Sequence, residues 1–98
     1  MYKWNLVNLK IHIGRIILLY RLRKELSQFQ LGLEVGMSRD HIGRIERGQT
    51  NPTIENIVKI SNFLNIDILI FFTELNQNEL SSILDEIKNL KEKNKSIE

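Results

Sequence analysis

Of its 98 residues the chain has no cysteine and no alanine, and proline and tryptophan occur once each. The absence of cysteine excludes disulfide staples, thiolate zinc sites and cysteine nucleophiles together. Two histidines, His12 and His41, are too few for a histidine metal cage, and no cofactor is expected. Uninterrupted apolar runs reach five residues, as in Ile68 to Phe72, whereas a bilayer-spanning helix needs about 20. The N-terminus lacks the charged-then-apolar pattern and small-residue cleavage site of an export signal. A soluble, cytoplasmic protein is expected. Aliphatic residues dominate: 15 Ile and 14 Leu lie within an apolar fraction of 42%. That is enough for one compact core and too much for wholesale disorder. The length fits a single domain with at most an appendage, and leaves no room for a ligand-sensing domain.

Net charge is only +2, but it is unevenly placed. Residues 1–60 carry ten Lys/Arg against five Asp/Glu (+5), and residues 61–98 carry four against seven (−3), which sum to that +2. All six arginines, Arg15, Arg21, Arg23, Arg39, Arg44 and Arg47, fall in the basic part. A positive field there favours a phosphate backbone, while the acidic part avoids one.

The punctuation of the chain predicts helices throughout. Leu9, Ile11 and Ile13 alternate like a strand, yet Leu6, Leu9, Ile13, Ile16, Ile17 and Tyr20 share one helical face. Residues 1–12 are therefore read as an extended or partly helical arm, leading into a helix from about Ile13 to Glu25. Ser27, with Gln30 three positions on, has the form of a capping box and opens a second helix that stops at Gly36. Ser38 caps a third, which ends at Gly48. Gln49 to Pro52 is turn-forming, and Thr53 caps a fourth helix closed by Asn65. Asp67 caps a short apolar fifth. From Asn76, with Glu79 at the capping-box position, Leu80, Ile83, Ile87 and Leu90 alternate spacings of three and four, the seam of a coiled coil. Everything after Lys91 is polar apart from Ile97 and is expected to fray. The expected organisation is an arm (1–12), a helical domain (13–75) and an amphipathic C-terminal helix with a frayed tail (76–98).

Two short helices joined by a glycine turn, Ser27–Val35 and Ser38–Arg47, form a helix-turn-helix. Leu31 and Val35 can pack against Ile42 and Ile45 across Gly36. That leaves Arg39, Asp40, Gly43, Arg44 and Arg47 as a stripe on the far side of the second helix. A helix presenting arginines and small residues is shaped to enter a major groove, about 12 Å wide, and reach base edges.

The residues Gln28-Phe29-Gln30-Leu31-Gly32, Gly36-Met37-Ser38 and Ile42-Gly43-Arg44-Ile45-Glu46-Arg47-Gly48, followed by Asn51-Pro52, resemble the phage-repressor-like (Cro/C1, Xre-type) helix-turn-helix family. The resemblance extends back to Ile13-Gly14 and Arg21 and forward to about Phe72. It implies an all-α, five-helix lambda-repressor-like fold, here with an N-terminal arm and an extra C-terminal helix. It also implies sequence-specific binding of double-stranded DNA by a transcriptional regulator, in the sense of a repressor. Carried over position by position, it points to Arg39, Asp40 and Arg44 as base-reading residues. Arginine can donate two parallel hydrogen bonds to guanine, and Asp40 either accepts from cytosine or steers Arg44 four positions along. Gln28 resembles the glutamine that holds a backbone phosphate, and Ser38, His41, Arg47 and Asn51 are further phosphate candidates. Arg21 and Glu46 correspond to a structural ion pair between the first and third helices.

The sequence departs from the family in places. Gly32 stands where alanine is usual, at a cost of about 1 kcal/mol in helix propensity. Leu18 and Leu19 occupy a stretch that is commonly polar, so the arm, the last helix or a second chain must cover them. Trp4 and Lys3 read as a hydrophobic plug rather than a DNA-contacting arm. The Leu80/Ile83/Ile87/Leu90 seam either pairs with a second copy or folds back over Leu18 and Leu19, with pairing preferred. A homodimer on an inverted-repeat operator follows from that preference. The alternative function is an antitoxin-like or partner-binding interaction module that uses the same seam for another protein. An enzyme is not expected, because no nucleophile, base and oxyanion donor come together.

Overall fold

The computed structural model describes residues 3–95. Its regular elements are all helical: α1 (Leu6–Arg23), α2 (Gln28–Val35), α3 (Arg39–Glu46), α4 (Ile54–Leu64), a short 3₁₀ helix (Ile68–Phe72) and α5 (Gln77–Lys93). The expected caps set the starts of these elements. Ser27, Ser38, Thr53 and Asn76 each accept the backbone N–H three residues on, and Asp67 accepts that of Leu69. At Ser27–Gln30 and Asn76–Glu79 the reciprocal bond closes a capping box. Gly36 ends α2 in the left-handed region at φ 72°, and Gly48 turns the chain after α3 at φ 70°. A side chain at either position would be strained. Glu25, at φ 58°, makes the turn between α1 and α2 with no glycine to announce it.

Residues 6–12 are not an arm. Asn5 accepts the Asn8 N–H through its side chain, so α1 begins at Leu6. Among the described residues only Lys3 to Asn5 precede it, and Trp4 is strapped down rather than free. Trp4 Nε1 donates to the Phe72 carbonyl (3.0 Å), and its ring stacks on His12 with centroids 5.4 Å apart. His12 is itself buried and donates from Nε2 to the Ile70 carbonyl at 2.8 Å. Trp4 thus plugs the junction of α1 and the 3₁₀ helix.

The main core gathers Ile13, Ile16 and Ile17 of α1 against Leu31, Val35, Ile42, Ile45, Ile60, Leu64 and Phe71. Two glycines let backbones meet inside it. A Cβ at Gly14 would collide with the Ile45 carbonyl oxygen and stand 2.6 Å from that of Glu46, so α1 lies directly on the end of α3. A Cβ at Gly32 would collide with the Met37 carbonyl oxygen. The low helix propensity of Gly32 is therefore offset by the tight approach of the turn after α2.

The C-terminal seam is used within the chain. Ile87 is buried with Leu19 and Leu22, and Leu18, Ile83 and Leu90 pack around them. Leu80 is half-buried near Trp4 and Ile11. This corrects the preference for pairing with a second copy: the apolar surface at Leu18 and Leu19 supplies the partner that α5 needs. Polar contacts fasten the same helix. Arg23 Nε and Nη2 donate to both oxygens of Glu86 at 2.7 and 2.8 Å, and the guanidinium lies 5.0 Å from the Tyr20 ring centre. Hydrogen bonds from Arg23 hold the Glu86 carboxyl below the usual glutamate range, outweighing its slight desolvation. The helix continues past Lys91 to Lys93, with Asn94 as its cap. Asn94 is buried, donating from Nδ2 to the Leu22 carbonyl at 3.0 Å. Ile97 lies outside the described residues. Among these residues no helix is long and apolar enough to cross a membrane.

Candidate nucleic-acid interface

The third helix is fixed at both ends and bare along one side. At its start the Ser38 hydroxyl accepts the His41 N–H at 3.1 Å. At its end the Gly14 contact seats its last carbonyls on α1. Ile42 and Ile45 are fully buried, which turns Arg39, Asp40 and Arg44 outward. Arg39 and Asp40 have side chains 68% and 80% exposed, and their closest charged atoms are 4.0 Å apart. Of the two roles open to Asp40, steering Arg44 finds no contact here: its carboxylate lies beside Arg39, and Arg44 forms no ion pair among the described residues. Burial has thus left two arginines in water with almost nothing to neutralise them.

Gly43 does not belong to that open stripe. It is buried beneath the side chains of Arg47 and Gln28, which approach it from the end of α3 and the start of α2. Arg47 also donates from Nε to the Gln49 side chain at 3.0 Å. Ser38 and Asn51 are exposed, and His41 is half-buried. Asn51 lies just before Thr53, the cap of α4. Gln28, Ser38 and Asn51 thus stand at or near the N-termini of α2, α3 and α4, where unpaired backbone N–H groups favour an anion.

Beneath the interface lies a buried polar core. Arg21, 1% exposed, donates from Nε and Nη2 to Glu46 at 2.6 and 3.0 Å, and from Nη1 to the Leu26 carbonyl at 2.7 Å. Such paired, doubly bonded charges avoid most of the cost of an isolated buried ion. Gln28 Nε2 donates to the same carboxylate at 2.9 Å. The Gln28 bond is new to the structure. Its partners are 18 positions apart and no local spacing announces it.

A family model described as helix-turn-helix matches residues 17–71. The HTH-type transcriptional regulator SlrR of Bacillus subtilis is 44% identical over 61% of this chain and 40% of its own length. SinR of Bacillus licheniformis, also an HTH-type transcriptional regulator, is 34% identical over 74% of this chain and 67% of its own. The control protein C.BamHI of Bacillus amyloliquefaciens is 37% identical over 67% of this chain and 86% of its own. The chain therefore spans only about two-fifths of SlrR but most of C.BamHI. No solved structure gives a significant match. With a bare arginine-bearing third helix set between two glycine turns, and a family match over residues 17–71, the chain belongs to the helix-turn-helix family.

Proposed function

We propose that the protein is a cytoplasmic, non-enzymatic transcriptional regulator that binds double-stranded DNA sequence-specifically and represses by occupying its operator. The exposed arginine side of α3, on which Arg44 forms no ion pair among the described residues, carries this reading. Arg44 and Arg39 would present their guanidinium forks to guanines in the major groove, with Asp40 beside them able to accept from cytosine. Gln28, Ser38, His41, Arg47 and Asn51 would hold the flanking phosphates and so set the register without reading sequence. A homodimer on an inverted repeat places two such helices with half-site centres about 34–36 Å apart. With the α5 seam spent inside the chain, two copies meet through another face. The partner-binding alternative loses part of its support for the same reason, since Leu18 and Leu19 pack against Ile83, Ile87 and Leu90 of the seam.

Selecting bound duplexes from a random pool, beside a solution-mass measurement, tests the whole reading. Arg44→Ala is expected to relax base preference at one position per half-site, costing about 1–3 kcal/mol on the selected duplex. Gln28→Ala should weaken selected and random duplexes alike. Identical behaviour of the two variants on both duplexes would overturn the division of roles, and a monomer bound at single half-sites would overturn the dimer.

A further inference from the structure

The reading helix lacks a side chain where two others meet. A Cβ at Gly43 would stand 2.9 Å from Arg47 Nη1 and 3.4 Å from both terminal atoms of the Gln28 amide. Those two side chains converge on one spot of α3 because that spot is bare. The Gln28 amide is also oriented from below. Glu46 Oε1 accepts from Gln28 Nε2 at 2.9 Å, and an ionised carboxylate can only accept, so the amide nitrogen must face it. That nitrogen carries a second proton, and the residue is only half-buried. The donor left over is available to an acceptor arriving from solvent.

We propose that Gly43 and Glu46 are positioning residues for a phosphate grip formed jointly by Gln28 and Arg47. Gly43 gives the amide and the guanidinium room to lie side by side. Glu46 fixes which way the amide turns, while both its oxygens also receive Arg21 from α1. One carboxylate thereby serves helix packing and phosphate contact at once. This inference rests on the DNA-binding reading above.

Gly43→Ala separates positioning from structure. The atoms that the new methyl meets are the ends of flexible side chains, and alanine is the better helix former. The melting temperature is therefore expected to hold or rise. Affinity for selected and random duplex should fall together by about tenfold, the scale of one lost charge-assisted hydrogen bond. The dependence of log affinity on log salt should become shallower by about 1 as Arg47 is displaced. In a cycle with Gln28→Ala, Glu46→Gln should weaken binding alone but add nothing once Gln28 is gone.

Wild-type duplex affinity retained by Gly43→Ala would overturn the proposal, as would a parallel loss of melting temperature and affinity. Losses that multiply in the double variant would do the same. If Glu46→Gln does not fold, Gly43→Ala alone decides. Wild-type protein that binds no duplex at low salt defeats the DNA reading itself, whereas wild-type binding with unaffected variants defeats only this inference.

Discussion

Arg21 and Arg23 on α1, and Arg39 and Arg44 on α3, show one residue type in opposite surroundings. Arg21 is sealed in the core with its nitrogens bonded to Glu46 and Leu26, and Arg23 forks onto Glu86. On α3, Arg39 has only a distant carboxylate beside it, and Arg44 no ion pair among the described residues. The same guanidinium works as internal cement where its hydrogen bonds are satisfied by the fold, and where they are not it is, in the proposed role, a probe of bases. Substitutions on α1 should therefore change stability, and those on the outer side of α3 should change binding.

The largest stability loss is expected for Arg21→Ala, which leaves Glu46 buried with half its partners gone. Removing one member of a buried pair costs about 3–5 kcal/mol, measurable by denaturant unfolding. Ile87→Ala comes next, at about 2–3 kcal/mol, toward the low end for such truncations because Ile83 and Leu90 beside it are only half-buried. A comparable loss in melting temperature would show that α5 is integral to the domain; an unchanged one would detach it.

The exposed Arg23–Glu86 pair is worth less, under about 1 kcal/mol. Because the Glu86 carboxyl is held below its usual range, the contribution is whole above the ordinary glutamate value of about 4.3. It fades as acid takes the pH down through the lowered value. Melting curves of wild type and Glu86→Gln should accordingly converge as the pH drops from about 6 to about 3. Arg39→Ala sits at the bottom of the scale, shifting stability by no more than about 0.5 kcal/mol while weakening duplex binding. A stability loss there as large as at Arg21 would erase the contrast.

Helix starts and stops were legible because they are local. Ser27 with Gln30, Asn76 with Glu79, Gly36 and Asn65 act within a few residues of themselves. The outward side of α3 was legible from the spacing of Ile42 and Ile45. Contacts made at long range were not. The strapping of Trp4 to Phe72, the fork of Arg23 on Glu86 and the tie of Asn94 to Leu22 each join residues more than 60 positions apart. The start of α1 is hidden in the sequence because the Leu9/Ile11/Ile13 alternation imitates a strand, while Asn5 supplies the cap. The seam on α5 is legible as apolar, but its spacing says nothing about whose surface it covers. Helical spacing alone puts Gly43 on the open stripe, because it ignores the Arg47 and Gln28 side chains that lie across it.

The bare Cα of Gly14 has a consequence for the duplex rather than for the protein. With α1 lying directly on the terminal carbonyls of α3, that helix, in the proposed DNA-reading role, would have little freedom to tilt or slide toward an imperfect site. On that proposed role, adjustment would fall to the nucleic acid, through bending, twisting or groove compression. Base steps that no side chain touches would enter selectivity through their stiffness.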